Sequence, residues 1–152
     1  MLLSPGKDQH FTCKNLEDTQ KIAETFARTL SPGDVVAMQG ELGAGKTTMI
    51  RMIVRALGYH GVVTSPTFTL MNIYATDAVD IYHFDFYRIH NENEAYGIGA
   101  DEYFESGSIV FIEWPEKVRG LLPDNYFEIR IRIPDFSASP SMRDISIRNR
   151  KS

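Results

Sequence analysis

The spacing of apolar residues along the chain alternates between a helical period and a strand period. Residues 16–30 and 46–57 repeat their apolar side chains three and four positions apart, which predicts two amphipathic helices. Gly58 follows the second stretch, where a left-handed residue commonly ends a helix. Residues 35–38 form an uninterrupted apolar run, typical of a strand buried on both faces of a parallel sheet. The early chain is therefore predicted to run helix, strand, loop (40–45) and helix.

The middle of the chain changes to a pattern that favours strands. Residues 68–74 and 79–85 are two β-rich runs, and the four residues between them predict an antiparallel hairpin. Residues 91–105 are predicted to be partly helical, although Gly97 and Gly99 interrupt the pattern.

Three more strands are predicted towards the end of the chain. Residues 108–113 form a second continuous apolar run, and a proline-interrupted stretch follows it as far as Pro123. Residues 126–133 and 143–148 alternate apolar and polar side chains, as half-buried strands do. The sum is an α/β sandwich with a mixed sheet, parallel early in the chain and antiparallel late.

Length and composition agree with one globular domain spanning residues 1–152. The 152 residues are 43% hydrophobic and 24% charged, which is ordinary for a folded domain. No apolar run reaches the roughly 18 residues of a membrane span, and the N-terminus is too polar and too short for a signal peptide. We therefore expect a cytoplasmic protein without a membrane contact. The single Cys13 is expected to be a small buried hydrophobe, since it has no partner for a disulfide or a zinc site.

Charge is distributed unevenly along the chain. Residues 1–127 carry 10 basic and 17 acidic side chains, whereas residues 128–152 carry 6 basic and 3 acidic ones. A net charge of −4 argues against unaided nucleic-acid binding, which depends on neutralising phosphates with Lys and Arg. The most acidic stretch, 77–105, contains one arginine, Arg88, and we expect it to form a solvated face.

The strongest chemical signal is the segment GELGAGKT at residues 40–47, which matches G-x-x-x-x-G-K-[ST] at every fixed position. It lies between a predicted buried strand and a predicted helix, so backbone N–H groups and the helix N-terminus can surround phosphates. We expect Lys46 to reach the β- and γ-phosphates from an exposed loop and the Thr47 hydroxyl to ligate Mg²⁺. The fold is accordingly predicted to be a P-loop NTPase-like three-layer sandwich.

Two carboxylates could complete a magnesium site. Glu113 and Asp85 each end a predicted strand, and the carboxyl ends of parallel strands face the ligand in such sheets. Either residue could instead be an ordinary strand-end carboxylate that caps a helix. Thr67 lies in a hydroxyl-rich turn, 64–69, that Pro66 helps to fix, where a sensor of the γ-phosphate would lie.

Missing motifs narrow the class of enzyme. The chain has no N-K-x-D or D-x-x-G motif of a Ras-like GTPase and no L-S-G-G-Q signature of a transporter ATPase. Arg88 is the only arginine between residues 58 and 112, which argues against the arginine-rich lid of a nucleoside kinase. The four histidines show no metal-ligand spacing, and His83 is expected to pack or hydrogen-bond within its strand.

Four ordered segments, at 40–48, 65–70, 82–88 and 112–115, resemble the TsaE (YjeE) family over about residues 16–133. The resemblance implies a bacterial P-loop ATPase that supports the threonylcarbamoyl modification of the adenosine next to the anticodon, in tRNAs that read codons beginning with A. It also implies that the ATPase acts on a complex of TsaB and TsaD and meets tRNA only indirectly.

The resemblance assigns roles to particular residues. Lys46, Thr67, Asp85 and Glu113 are the implied catalytic residues, and Thr47 and Glu113 the implied Mg²⁺ ligands. ATP contacts are assigned to Asp85 and, at the adenine end, to Leu16 and Arg143. The phosphate-loop contacts are assigned to Glu41, Leu42, Gly43, Ala44, Gly45, Lys46, Thr47 and Thr48. Trp114 follows the metal carboxylate and is either a packing aromatic or a direct participant.

Two other functions stay open at this point: a small-molecule kinase, and a nucleotide-gated binding module with negligible turnover. Arg88 is the one arginine placed to act as an internal charge-stabilising finger, or it pairs with the acidic stretch. We therefore expect slow ATP hydrolysis by the isolated chain and a dependence on partners. Residues 92–105 and the turn 64–69 are the candidate docking faces.

Overall fold

A computed structural model describes residues 7–151 of the chain. Most of the polar N-terminus on which the signal-peptide expectation rests, residues 1–6, lies outside the described residues, as does residue 152 of the expected domain. The elements in chain order are β1 (Asp8–Cys13), α1 (Leu16–Ala27), β2 (Val35–Gln39), α2 (Lys46–Ala56), β3 (Met71–Ala75), β4 (Asp80–Asp85), α3 (Glu92–Gly97), α4 (Ala100–Phe104), β5 (Ile109–Glu113), a 3₁₀ helix (Pro115–Leu121), β6 (Phe127–Arg132) and β7 (Arg143–Asn149).

The seven strands form one mixed sheet in the order β1-β7-β6-β2-β5-β4-β3. The four central strands β6, β2, β5 and β4 are parallel to one another, whereas β1, β7 and β3 pair antiparallel with their neighbours. The predicted mixed α/β sheet is therefore confirmed, and so is the hairpin of β3 and β4. Antiparallel pairs lie at both edges, however, and not only late in the chain.

Helices cover both faces of the sheet, which gives the three predicted layers. On one face α1 and α2 bury their apolar stripes, and the ring of Phe26 meets that of Phe127 edge-on at 5.3 Å. On the other face α3, α4 and the 3₁₀ helix pack on a second apolar cluster that contains Phe84, Phe86 and Phe104. The two continuous apolar runs, β2 and β5, are central because they are buried on both faces.

The structure adds one strand to the sequence prediction and moves two element boundaries by three residues, and several others differ by a single residue. β1 was not predicted, since it alternates exposed and half-buried positions and ends in Cys13, which is buried as expected. β3 begins at Met71 and not at 68, because Leu70 adopts a left-handed φ of 69° and its N–H donates to the carbonyl of Pro66 at 2.7 Å. The first helix ends at Ala27 and not at residue 30.

The acidic stretch 77–105 is mainly a solvated face, as expected, with one exception. Asp85 is buried, with 3% of its surface exposed. Between residues 7 and 151, no helix has both the length and the apolar character needed to cross a membrane.

Candidate functional site

The glycine loop leaves β2 at Gln39 and enters α2 at Lys46 under tight backbone constraints. A Cβ atom on Gly40 would lie 2.7 Å from the carbonyl oxygen of Ile131, so only glycine fits between the loop and β6. Gly45 precedes the helix with a φ of +109°, a conformation that side chains disfavour. The first N–H groups of α2 have no partner within the helix. The loop thus presents a concave, electropositive backbone at the carboxyl edge of the sheet.

Lys46 lies inside this loop and is buried, which corrects the expectation of an exposed lysine. Its Nζ donates to the carbonyl of Gly40 at 2.6 Å and lies 3.7 Å from the ring centroid of Trp114. Burial lowers the pKa of Lys46, and the carboxylates of Glu113, Glu116 and Asp85 oppose that change. The ammonium group therefore sits in a partly desolvated place where its attraction for an anion is strong.

Trp114 directly follows the last residue of β5 and turns the chain sharply. Its φ of 60° and ψ of 51° are left-handed, which is uncommon for a residue with a large side chain. The turn places the indole ring over Lys46 and 5.0 Å from the ring of Tyr87. Trp114 thus packs as an aromatic and also contacts a residue of the phosphate loop.

The two candidate carboxylates end neighbouring parallel strands. Asp85 of β4 is in register with Glu113 of β5, and Glu113 is in register with Met38 of β2. Thr47, in the first turn of α2, places its hydroxyl 3.0 and 3.2 Å from the two oxygens of Glu113. The structure therefore brings together the two residues to which the resemblance gives the role of Mg²⁺ ligands.

Glu113 has a second partner that sequence reasoning did not identify. His83 of β4 is fully buried, and its Nε2 lies 2.7 Å from Oε2 of Glu113. Its Nδ1 lies 2.9 Å from the hydroxyl of Tyr74 on β3. His83 is packed in the interior, as one of its two expected roles has it, but it does not hydrogen-bond within its own strand, because its two ring nitrogens contact side chains on the two flanking strands. The sheet register, which the sequence alone does not fix, creates these contacts.

Asp85 accepts hydrogen bonds from the segment that precedes β3. Its Oδ2 accepts hydrogen bonds from the hydroxyls of Ser65 and Thr67, each at 2.9 Å. Its Oδ1 accepts from the backbone N–H of Tyr87 at 2.9 Å. Asp85 thus holds the hydroxyl-rich turn 64–69 against the end of the sheet, and no helix begins at the residues it contacts.

Two cavities meet at the glycine loop. The first, of about 370 Å³, is lined by all four residues for which the resemblance implies a catalytic role, Lys46, Thr67, Asp85 and Glu113, together with Thr47. The second, of about 730 Å³, is more apolar and contains Leu16 and Arg143. Both are lined by Gly43, Gly45 and Thr48. The volumes and their shared wall suit a nucleotide that lies across the loop, with its phosphates in the first cavity and its base in the second.

Leu16 and Arg143, assigned to the adenine end only by resemblance, do lie together. Leu16 is largely exposed at the start of α1. The Nε of Arg143 donates to the carbonyl of Ala44 at 2.7 Å, and its Nη1 donates to Pro140 and Met142. Arg143 therefore ties the start of β7 to the glycine loop and borders the larger cavity. Glu41, in contrast, lines neither cavity and faces a separate cleft beside Arg130.

Arg88 does not pair with the acidic stretch, and it does not line the smaller cavity. Its guanidinium lies 4.4 Å from the ring centroid of Phe68, whose side chain is 83% exposed. No ion pair of Arg88 occurs among the described residues. The arginine therefore packs on the turn 64–69 just outside the phosphate cavity.

The donor set fits a magnesium ion only in company with other ligands. In residues 7–151 there is no group of three His, Cys, Asp or Glu side chains that could hold a metal. The Thr47 hydroxyl and the Glu113 carboxylate are hard oxygen donors, and Mg²⁺ typically takes one or two such groups and completes its shell with phosphates and water. These two residues therefore fit a nucleotide-bound Mg²⁺ ion.

All residues that line the smaller cavity lie within a segment that matches known proteins, whereas Arg143 of the larger cavity lies just beyond it. Residues 13–139 match a family model described as "Threonylcarbamoyl adenosine biosynthesis protein TsaE". Proteins named "tRNA threonylcarbamoyladenosine biosynthesis protein TsaE" are similar to the chain. The protein from Rickettsia prowazekii is 38% identical over 125 residues, covering 82% of this chain and 86% of that protein. The protein from Bacillus subtilis is 38% identical over 118 residues, covering 78% and 73%.

A solved structure has the same architecture. The crystal structure of YdiB from Bacillus subtilis superposes with a TM-score of 0.76 and 31% sequence identity, covering 93% of this chain and 84% of that one. The agreement extends through the α/β layers that position the glycine loop.

Proposed function

The chain belongs to the TsaE family, and from this premise we propose that it binds and hydrolyses ATP with Mg²⁺ in support of the threonylcarbamoyl modification of tRNA adenosine. The observation that supports this proposal most strongly is the pair of cavities joined at the glycine loop, with Thr47 and Glu113 in contact in the smaller one. A phosphate chain with its metal and an attached base would fit this arrangement.

Phosphate binding would rely on the backbone and on Lys46. The residues of the first turn of α2 line the smaller cavity, and their N–H groups would donate to phosphate oxygens. Lys46 would exchange its present acceptor, the Gly40 carbonyl, for a charged phosphate oxygen, which is a stronger hydrogen-bond acceptor. The ring of Trp114 covers the ammonium group and limits its access to water.

Thr47 and Glu113 would hold the metal. A Mg²⁺ ion held there would neutralise charge on the β- and γ-phosphates. The Thr47 hydroxyl donates its proton to Glu113, so its oxygen lone pairs are free to face a cation. Glu113 is buried, and its carboxylate is held by neighbouring side chains before any ligand binds.

Asp85 and Thr67 would sense the γ-phosphate end. The Thr67 hydroxyl now donates to Asp85 from the wall of the smaller cavity. A γ-phosphate in that cavity would compete with Asp85 for this hydroxyl. The turn 64–69 would then differ between the ATP- and ADP-bound forms, as switch segments do.

We infer that the partner is a complex of TsaB and TsaD and that it docks near this turn, in the cytoplasm. Phe68 is exposed beside Thr67, so a change at the γ-phosphate would reach an apolar surface side chain directly. Arg88 packs on Phe68 outside the cavity, and it therefore supplies no charge to the phosphates in this conformation. A charge supplied by a partner can raise the rate of phosphoryl transfer by orders of magnitude.

The test is steady-state ATP turnover of the pure protein, measured alone and after adding TsaB and TsaD, with threonylcarbamoyladenosine formation on tRNA as a second readout. For the protein alone we expect ATP turnover well below the ~1–100 s⁻¹ of kinases. With the partners we expect faster ATP turnover or formation of the modified tRNA. Fast turnover that the partners do not change would contradict the proposal. A phosphorylated product in a panel of metabolites would instead indicate a small-molecule kinase. Nucleotide binding without any turnover would indicate a nucleotide-gated binding module.

A further inference from the structure

We propose that His83 is a positioning residue that fixes the Glu113 carboxylate for the metal-bound nucleotide. This inference rests on the proposed function, because it concerns the same magnesium site. His83 lies outside the glycine loop and touches neither Thr47 nor the loop in any hydrogen bond; it acts through Glu113.

The contact with Glu113 defines which ring nitrogen carries a proton. Nε2 of His83 faces a carboxylate oxygen at 2.7 Å, and a carboxylate only accepts hydrogen bonds. Nε2 must therefore be the N–H group that donates. A short hydrogen bond to a charged acceptor is directional and strong.

Tyr74 supports that protonation state from the other side of the ring. Its hydroxyl has one proton and two acceptors within reach, Nδ1 of His83 at 2.9 Å and the Thr64 carbonyl at 3.3 Å. Burial raises the pKa of Tyr74, so the hydroxyl keeps its proton. Donation across the shorter contact to Nδ1 is compatible with a proton on Nε2, so Tyr74 and Glu113 hold the ring from its two sides.

Burial explains why packing alone does not account for a histidine here. His83 is 0% exposed and Glu113 is 3% exposed, so neither side chain has water as an alternative partner. An apolar side chain would fill the same space at the β4–β5 contact without the cost of burying two polar nitrogens. Both nitrogens of the ring have hydrogen-bond partners. Thr47 contacts the Glu113 carboxylate from the helix that follows the glycine loop, whereas His83 contacts it from the neighbouring strand.

His83 resembles the side chains that, in metal sites, hydrogen-bond to a metal ligand and fix its orientation without touching the metal. Oε2 of Glu113 receives the His83 N–H and the nearer contact of Thr47, so the carboxylate plane is held by two donors on different elements. Removing one donor frees the carboxylate to rotate about its side-chain torsions. Loss of such a partner commonly lowers metal affinity or activity about 10- to 100-fold.

A matched pair of amide substitutions tests the idea. In His83→Gln the side-chain nitrogen reaches the position of Nε2 and can still donate to Glu113. In His83→Asn the side chain is too short for its nitrogen to reach that position. Both variants bury one amide at the same site, so their difference reports the donated hydrogen bond. Tyr74→Phe removes the supporting hydroxyl and is the third variant.

The readouts are affinity for a fluorescent ATP analogue with EDTA, affinity with a series of Mg²⁺ concentrations, and thermal unfolding. For His83→Asn we expect a 10- to 100-fold higher Mg²⁺ requirement, with Mg²⁺-free affinity within about 2-fold of the original protein. His83→Gln should recover most of the loss, and Tyr74→Phe should lie between the original protein and His83→Asn.

Two outcomes would overturn the inference. The first is an unchanged Mg²⁺ requirement in His83→Asn, and the second is an equal change in the two amide variants that follows their thermal stability. Failure of the original protein to bind the analogue at all would instead contradict the proposed function. Binding by the original protein combined with either overturning outcome removes only the role of His83.

Discussion

The hydroxyl of Thr47 lies 3.0 Å from one oxygen of Glu113 and 3.2 Å from the other, although 66 residues separate the two along the chain. One residue comes from the first turn of α2 and the other from the end of β5. The contact therefore joins the phosphate loop to a neighbouring strand before any ligand is present. Several of the predictions below concern side chains that meet at this junction.

Glu113→Gln should uncouple magnesium from nucleotide binding. The amide keeps the shape of the side chain but removes the charge that a cation requires. We expect ATP hydrolysis with Mg²⁺ to fall by about 100-fold or more, because metal stabilisation of the transition state is lost. Affinity measured in EDTA should change by less than about 3-fold. Equal losses in the two assays would mark Glu113 as a structural residue.

Lys46→Ala should abolish ATP-dependent function and leave the fold intact. The ammonium is the charged group of the phosphate loop, and its burial lowers the pKa of Lys46, so the folded protein gains little by keeping the charge there. We expect at least about a 100-fold loss of nucleotide affinity and an unchanged or slightly higher melting temperature. Lys21→Ala, on the exposed side of α1, is the matched control. If the Lys46→Ala protein still replaced the original protein in cells that lack it, a role of Lys46 in phosphate binding would be contradicted.

Asp85→Ala should reduce turnover while having only a modest effect on global stability. Ser65 is exposed and Thr67 is half-buried, so water can replace the carboxylate as their partner. We expect a loss of about 1–3 kcal/mol in the free energy of unfolding and faster hydrogen exchange confined to residues 64–69. A collapse of thermal stability would show instead that Asp85 is mainly a structural residue.

Gly40→Ala should damage the site through the backbone. The added Cβ would lie 2.7 Å from the carbonyl oxygen of Ile131, so β6 and the loop must separate. Gly33→Ala is the control, because Gly33 has a φ of +97° but open space around it. We expect Gly40→Ala to lower both the melting temperature and nucleotide affinity more than Gly33→Ala does. Equal effects would show that only the backbone angle matters.

Cys13 should be unreactive in the folded protein. Burial raises the pKa of its thiol above the ordinary 9.0, and only 1% of the residue is exposed. The reactive thiolate is therefore rarer than in an ordinary cysteine at pH 8. We expect slow labelling by a disulfide reagent in buffer and rapid labelling of one thiol in denaturant. Fast labelling without denaturant would place Cys13 at the surface.

The chemistry of the loop and the carboxyl edge could be predicted because it depends on local order. A continuous apolar run predicts a buried strand, and the residue that ends the run must lie at the edge of the sheet. Glu113, Asp85 and the segment 40–47 follow from that rule, and the structure brings them together. Their individual roles in catalysis stay predictions.

The features that were missed depend on pairing between distant segments. β1 has a weak pattern of its own and is defined by its register with β7. His83 looked like a strand residue, and its partners became visible only when β3, β4 and β5 were set side by side. The turn at Leu70 depends on a left-handed backbone that leucine rarely adopts, so its sequence predicted a strand there.

The position of β1 at the edge of the sheet has a consequence for how the chain folds during synthesis. Within the described residues, β1 pairs with β7 alone, and Asp8 meets Arg148 across 140 residues. During synthesis β1 leaves the ribosome first of the seven strands and must wait unpaired until β7 has been made. Pairings between such distant segments form slowly. All residues of the smaller cavity are complete earlier, so the phosphate end of the pocket can assemble in a nascent chain whose sheet is still open at one edge, whereas the larger cavity needs Arg143 of β7.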